Sequence, residues 1–396
     1  MPDITAFQTA LRAARVDGWL LYDFRRSNAI AHRVLGLPPH AFFTRRWLYY
    51  VPAQGEPVVI VSAVESHVLA DLPGQQRVYR SWREYRDLLA EVVGGTKRVA
   101  MEYVPENGIP YCSLVDAGTV ELVRSLGPEV VSSADFAQQF EATLTPQQIE
   151  SHRRAGTALV RAGERVYAWV RERLLAGDTL TEYSIQQELG SYMRAEGLEV
   201  TPDEEPLVSV NGNAANPHYS PSTARHAPVA RGDLLLIDFS APLAEPGAIF
   251  ADYTWMAYLG ERTLQRIDDL FQIIRQARDE GVAQLREAFR AGRSIEGCAV
   301  DDAVREVIAR AGYGHAFVHR TGHNIGERVH GNGAHLDNLE THDTRPLLAN
   351  TCVSMEPVIY LPQEGLGLRT EVDVLLLPGD IEVTGWEQSA VKPLLA

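Results

Sequence analysis

Over the first 140 residues the apolar positions switch repeatedly between helical spacing and strand-like runs. Residues 4–16 carry apolar side chains at helical intervals, with Gly18 as the stop, and Trp19–Phe24 reads as a strand. Two apolar runs, Trp47–Val51 and Pro57–Val61, bracket Ala53-Gln54-Gly55-Glu56 as a hairpin. Arg98–Tyr103 adds a further strand after Gly94-Gly95. This alternation predicts a small α/β domain over residues 1–142. No cluster of polar residues within it carries evident chemistry.

A second domain is expected over 143–396. Thr145 is placed to N-cap a helix and Pro146 to occupy its first turn. Leu159, Ala162, Val166, Val170 and Leu174 then recur on one stripe, and Gly177 ends it. Thr181 can cap the next helix, which closes by Gly197, and further helices are predicted over 264–290 and 298–311. Turn-rich sequence, NGNAANPHYSPSTARHA, leads into two β-rich runs, Leu234–Phe239 and Ile249–Tyr258, around Glu245-Pro246-Gly247.

That last pattern is a hairpin with acids in its arms. Folded about Glu245, it sets Asp238 opposite Asp252. Opposed strand residues have Cβ atoms roughly 4.5–5.5 Å apart. Two carboxylates at that distance raise each other's pKa unless a cation sits between them. A second pair of β-rich runs flanks Pro362-Gln363-Glu364-Gly365, and folding there sets Glu356 opposite Glu371. Between the hairpins lies HRTGHNIGERVHGNG, with His319, His323 and His330, and with Gly322 and Gly326 closing around His323. Four carboxylates and one imidazole would form an oxygen-rich site with ligands for two divalent cations. Such pairs stand about 3.5–4 Å apart around a bridging water or hydroxide. The donor mix suits manganese first, with cobalt or zinc as alternatives.

Composition narrows the partners. With 37 basic against 52 acidic residues and a net charge of −15, a nucleic-acid surface is not expected. No apolar run reaches the ~20 residues of a membrane span, and the N-terminus has no signal-peptide pattern. Cys112, Cys298 and Cys352 are widely spaced and form no disulfide or metal-knuckle framework. A cytoplasmic location is the expectation.

The order Asp, Asp, His, Glu, Glu, with IDF, AD.T, GHNIG, MEP and RTE, resembles the metallopeptidase family of methionine aminopeptidase, aminopeptidase P and prolidase. The likeness covers about residues 145–385. It implies a pita-bread catalytic domain, with Asp238, Asp252, His323, Glu356 and Glu371 holding two metal ions. The extra N-terminal α/β domain is similar to the aminopeptidase P, prolidase and creatinase branch, whereas creatinase itself lacks the full ligand set. The resemblance also implies Glu356 as proton shuttle, His218 and His330 as substrate-side histidines, and Arg369 beside the metals. Gly331 and Trp255 depart from the family pattern, which bears on the substrate pocket. The implied reaction is hydrolysis of Xaa-Pro dipeptides by a metal-bridged hydroxide. Alternatives are an Xaa-Pro aminopeptidase acting on longer peptides, an inactive binding module on the same fold, and a side activity on organophosphates or other esters. A dipeptide's free carboxylate would need a cation, for which Arg369 is one candidate and Arg45-Arg46 the other, Arg46 in a homodimer whose N-terminal domain leans over the partner's catalytic domain.

Overall fold

A computed structural model describes residues 1–38, 41–202, 204–217 and 219–396. The chain divides into two compact units, Met1–Glu141 and Ala142–Ala396.

The first unit runs α1 (Ile4–Ala13), β1 (Gly18–Asp23), α2 (Ala29–Val34), β2 (Trp47–Pro52), β3 (Val58–Ser62), β4 (Gln75–Tyr79), α3 (Trp82–Val93), β5 (Arg98–Met101), α4 (Ala117–Ser125), β6 (Glu129–Ser132) and α5 (Ala134–Glu141). Its six strands form one mixed sheet in the order β4-β3-β2-β1-β5-β6. Alternate residues of β1 feed opposite faces: Trp19 and Leu21 join one buried cluster, Leu20 and Tyr22 the other. A strand covered on both faces must be apolar throughout, hence the unbroken WLLY run. The helix expected over 4–16 stops at Ala13. Arg15 turns left-handed (φ 56°) and the Val16 N–H returns to the Leu11 carbonyl, so Gly18 becomes the first residue of β1. The expected strand at 98–103 ends at Met101, whose carbonyl accepts the Tyr103 N–H in a tight turn.

The second unit contains α6 (Pro146–Ala176), β7 (Leu180–Thr181), α7 (Glu182–Ala195), β8 (Leu207–Val210), β9 (Pro228–Val229), β10 (Leu234–Ala241), β11 (Ala251–Tyr258), α8 (Gln265–Arg290), α9 (Gly297–Arg310), β12 (Asn324–Ile325), β13 (Thr351–Met355), β14 (Val358–Leu361), β15 (Leu366–Arg369), β16 (Val372–Leu377), β17 (Asp380–Thr384) and β18 (Lys392–Pro393). Thr145 caps α6 in a capping box with Gln148, Pro146 sits in the first turn, and left-handed Gly177 (φ 80°) closes the helix. Thr181 caps α7 in the same way with Ser184.

Two half-structures result. Helices α6 and α7 bury their stripes against the odd-numbered side chains of β10 and β11, among them Leu235, Ile237, Phe239, Tyr253 and Trp255. Helices α8 and α9 pack on Leu234, Leu236, Met256 and apolar residues of β13 to β16 such as Val353, Ile359, Leu368 and Val374. The even-numbered face of the β10–β11 hairpin is therefore apolar at one end and carries Asp238, Ser240, Asp252 and Thr254 at the other. Sheets β18-β11-β10-β8 and β12-β13-β16-β17, with the small hairpin β14–β15, hold the acids in place. Among the described residues no helix is long and apolar enough to cross a membrane.

Candidate metal centre

The first hairpin does not fold about Glu245. Asp238 pairs with Thr254 and Ser240 with Asp252, a register that pivots on Pro246. The connection is a nine-residue loop rather than a tight turn. In it the Ile249 N–H donates to Ser151 Oγ (3.1 Å) and the Phe250 N–H to the Gly326 carbonyl (3.0 Å), which draws both residues out of the ladder. A slip of two residues keeps every side chain on its face. Asp238 and Asp252 thus remain neighbours, on the diagonal rather than directly opposed.

The second hairpin keeps the expected register, but its ladder breaks at the acids. Val358 pairs with Arg369 on one side, and Met355 pairs with Val372 on the other. Between the two ladders, Glu356 and Glu371 turn their N–H groups to other segments: Glu356 to the Thr321 carbonyl (2.8 Å), Glu371 to the Thr254 carbonyl (3.2 Å). Each acid is thereby tied to the strand or loop carrying another ligand.

His323 is set by Ser354. Its N–H donates to Ser354 Oγ (2.9 Å), and the Ser354 N–H donates to its carbonyl (2.8 Å). Gly322 is required there, because a Cβ would lie 2.0 Å from the Ser354 carbonyl oxygen. At Gly326 a Cβ would have its nearest neighbour 4.0 Å away, so the second glycine of the motif answers to no such contact.

Three of the five expected ligands converge. Asp252, His323 and Glu371 each offer a ligand atom within 4.8 Å of the other two, and all three are buried. His323 Nε2 lies 3.5 Å from Asp252 Oδ2 and 3.6 Å from Glu356 Oε1, which brings in the fourth. Asp238 is turned toward Arg369, whose Nη2 donates to Asp238 Oδ2. Arg369 also donates from Nε to Thr254 Oγ1 (2.9 Å) and from Nη1 to the Tyr360 hydroxyl (3.3 Å). His330 stands at the rim with its ring edge-on to His323, centroids 4.4 Å apart. His218 lies outside the described residues. Arg46 belongs to the first unit, where its guanidinium lies over the Tyr85 ring at 4.4 Å.

The electrostatics are those of crowded acids. Burial, then repulsion from Asp252, Glu356 and Asp238, pushes Glu371 well above the carboxylate range. Burial raises Asp238 to about 7 although Arg369 opposes the shift. Burial works the same way on Glu356, but His319, His323 and Arg369 outweigh it and leave that group below its ordinary value. Burial would lower His323, yet Asp252 and Glu356 more than compensate and raise it. Buried carboxylates held this close are stabilised by cations, and a mixed carboxylate–imidazole set is the donor chemistry of divalent transition metals. The residues present fit such ions.

Supporting groups acquire a role only in the folded chain. Thr254 Oγ1 donates to Glu371 Oε2 (2.6 Å), and Asp373 Oδ2 accepts the Asp252 N–H (2.9 Å). His319 Nε2 lies 3.4 Å from the Tyr360 hydroxyl. Thr254 and Asp373 each follow a ligand by two positions, so strand periodicity alone puts them on the ligand's face.

These features define a metallohydrolase site set between two hairpins. Residues 150–377 match metallopeptidase family M24, and the chain belongs to that family. The chain is 27% identical to a probable dipeptidase PepE of Mycobacterium bovis over 85% of its own length and 82% of the relative's. It is 27% identical to an Xaa-Pro dipeptidase of Lactobacillus helveticus over 58% and 56%. Other curated relatives match over about half of their length. The crystal structure of dipeptidase PepE from Mycobacterium ulcerans superposes with a TM-score of 0.68 at 22% identity, covering 99% of this chain and 96% of that one. The fold is the pita-bread fold of this family.

Proposed function

We propose that the protein hydrolyses Xaa-Pro dipeptides with two divalent ions, manganese foremost, held by Asp238, Asp252, His323, Glu356 and Glu371. The observation that carries this reading is the convergence of Asp252, His323 and Glu371, with Glu356 joined through His323, in a member of a metallopeptidase family. Bound there, such ions supply Lewis acidity toward the scissile carbonyl and a lowered pKa for water.

The chain's own groups do the rest. Glu356 takes the proton from the attacking water on its carboxylate and passes it to the proline nitrogen, which leaves as a secondary amine. Ser354 Oγ, 3.3 Å from Glu356 Oε1, orients that carboxylate. His330 and His218 hold the carbonyl oxygen as it becomes tetrahedral. Arg369, fully engaged by Asp238, Thr254 and Tyr360, fixes Asp238 rather than the peptide. Proline suits such a site because its nitrogen carries no N–H and its ring is rigid. The dipeptide carboxylate falls to Arg46 in a cytoplasmic homodimer.

The decisive assay compares Xaa-Pro with Xaa-Pro-Yaa peptides, with manganese added or chelated. Preference for the dipeptide is expected, and Arg46→Ala should raise its KM. Equal rates on both lengths would move the assignment to an Xaa-Pro aminopeptidase.

A further inference from the structure

Glu182, the first residue of α7, has no exposed surface, and among the described residues it makes no ion pair. Its carboxylate is instead filled with neutral donors. Oε1 accepts the Val210 N–H (2.8 Å) and Asn213 Nδ2 (2.9 Å). Oε2 accepts the Ala227 N–H (2.7 Å) and the Tyr219 hydroxyl. The Glu182 N–H in turn donates to the Ala227 carbonyl (3.1 Å). Burying a carboxylate is costly unless its lone pairs are used. All four donors come from one stretch, residues 210–227, which links β8 to β9.

The same stretch is fixed against the metal-ligand hairpins. Asn211 Nδ2 donates to Asp233 Oδ1 (2.7 Å), and Asn211 Oδ1 accepts the Leu234 N–H (2.8 Å) at the root of β10. Residues 214 and 215 press on β15, where a Cβ on Gly367 would meet the Ala214 carbonyl carbon at 2.2 Å. Strand β14 starts two residues after Glu356, and β15 ends two residues before Glu371. Among the described residues, Glu182 thus gathers both ends of the stretch, Val210 and Ala227, together with Asn213 and Tyr219 from its middle.

We infer that Glu182 is a positioning residue that sets residues 210–217 and 219–227 as a wall of the substrate cleft beside the hairpin of Glu356 and Glu371. It touches no substrate and acts through Asn213 and Tyr219. The role of the wall in peptide binding rests on the peptidase reading, whereas the anchoring itself does not.

The test uses the full-length, manganese-loaded chain and the variants Glu182→Gln and Tyr219→Phe. Glutamine keeps one acceptor oxygen, so the donors of the other lose their partner. Lost bonds to a charged group predict backbone hydrogen exchange over 210–227 faster by about tenfold or more. KM for an Xaa-Pro dipeptide should rise by a similar factor, with kcat less affected and metal content unchanged. Tyr219→Phe should shift both in the same direction by less, and it serves if Glu182→Gln fails to fold. Unchanged exchange over 210–227 in the folded variants overturns the proposal, as does faster exchange with KM unmoved. Were the unmodified enzyme inactive on Xaa-Pro peptides, the proposed function would fail, while faster exchange confined to 210–227 would still uphold the anchoring role.

Discussion

Replacing Gly322 by alanine tests whether the metal centre depends on a backbone approach rather than on ligand identity alone. The added Cβ would lie 2.0 Å from the Ser354 carbonyl oxygen and 2.8 Å from its carbon, whereas real Cβ contacts stay beyond 3.0 Å. Both contacts are backbone, so relief requires His323 and Ser354 to separate by about 1 Å, well over the ±0.2 Å tolerance of metal–ligand distances. That displacement strains the two hydrogen bonds joining these residues, at 2.9 and 2.8 Å, and moves Nε2 away from Glu356 and Asp252. Misplacement on this scale costs about 10²-fold in rate, and overpacking costs about 1–3 kcal/mol in stability. The assay is metal affinity and kcat/KM for Gly322→Ala beside Gly326→Ala, whose Cβ has its nearest neighbour 4.0 Å away. Loss of about two orders of magnitude is expected in the first and near-normal values in the second. Equal behaviour of the two variants would refute the reasoning.

Three further outcomes follow from the site and its surroundings. Asp238→Ala strips the buried Arg369 of its anion, and losing one partner of a buried pair costs about 3–5 kcal/mol. Thermal denaturation should show that loss, and adding Arg369→Met should recover part of it; additive losses would contradict the pairing. Glu356→Gln should keep the fold and lose about 10²–10⁴-fold in turnover, so near-normal turnover at full metal content would remove its assigned role. In the first unit, burial raises Glu102 from 4.5 to about 7 against hydrogen bonds from Asn28, Trp19 and Ser133. A raised pKa means the folded state favours the proton. That stabilisation is complete below pH 4.5 and disappears as pH climbs to 7, about 3 kcal/mol in all. Denaturation of Glu102→Gln at pH 5 and pH 8 should lack this slope, and an unchanged slope would exclude Glu102 as its source.

Much of the fold around the candidate site was legible because its residues sit where local rules are strict. Thr145, Pro146 and Gly177 mark α6 through capping chemistry that depends only on neighbours. The second hairpin's register followed from a short turn, and even the misjudged first hairpin kept Asp238 and Asp252 on one face, because period-2 alternation survives a shift of two. What escaped is tertiary. The slip itself comes from Ser151 and Gly326 capturing Ile249 and Phe250, the first partner 98 residues away in the chain and the second 76 (326 − 250). The break in the second ladder likewise depends on Thr321 and Thr254. Nothing local in the sequence singles out Glu182, since its partners are spread from Val210 to Ala227. The early end of α1 turned on a left-handed arginine, a conformation that residue rarely takes.

The central claim is a two-metal centre on Asp238, Asp252, His323, Glu356 and Glu371, and elemental analysis tied to activity tests it most directly. Purified enzyme, reconstituted with manganese and freed of excess ion, should carry two metals per chain, lose peptide hydrolysis on chelation and regain it on re-addition. His323→Ala should fail to retain the pair. Full activity with no more than trace metal, or an unaltered metal count in His323→Ala, would contradict the account.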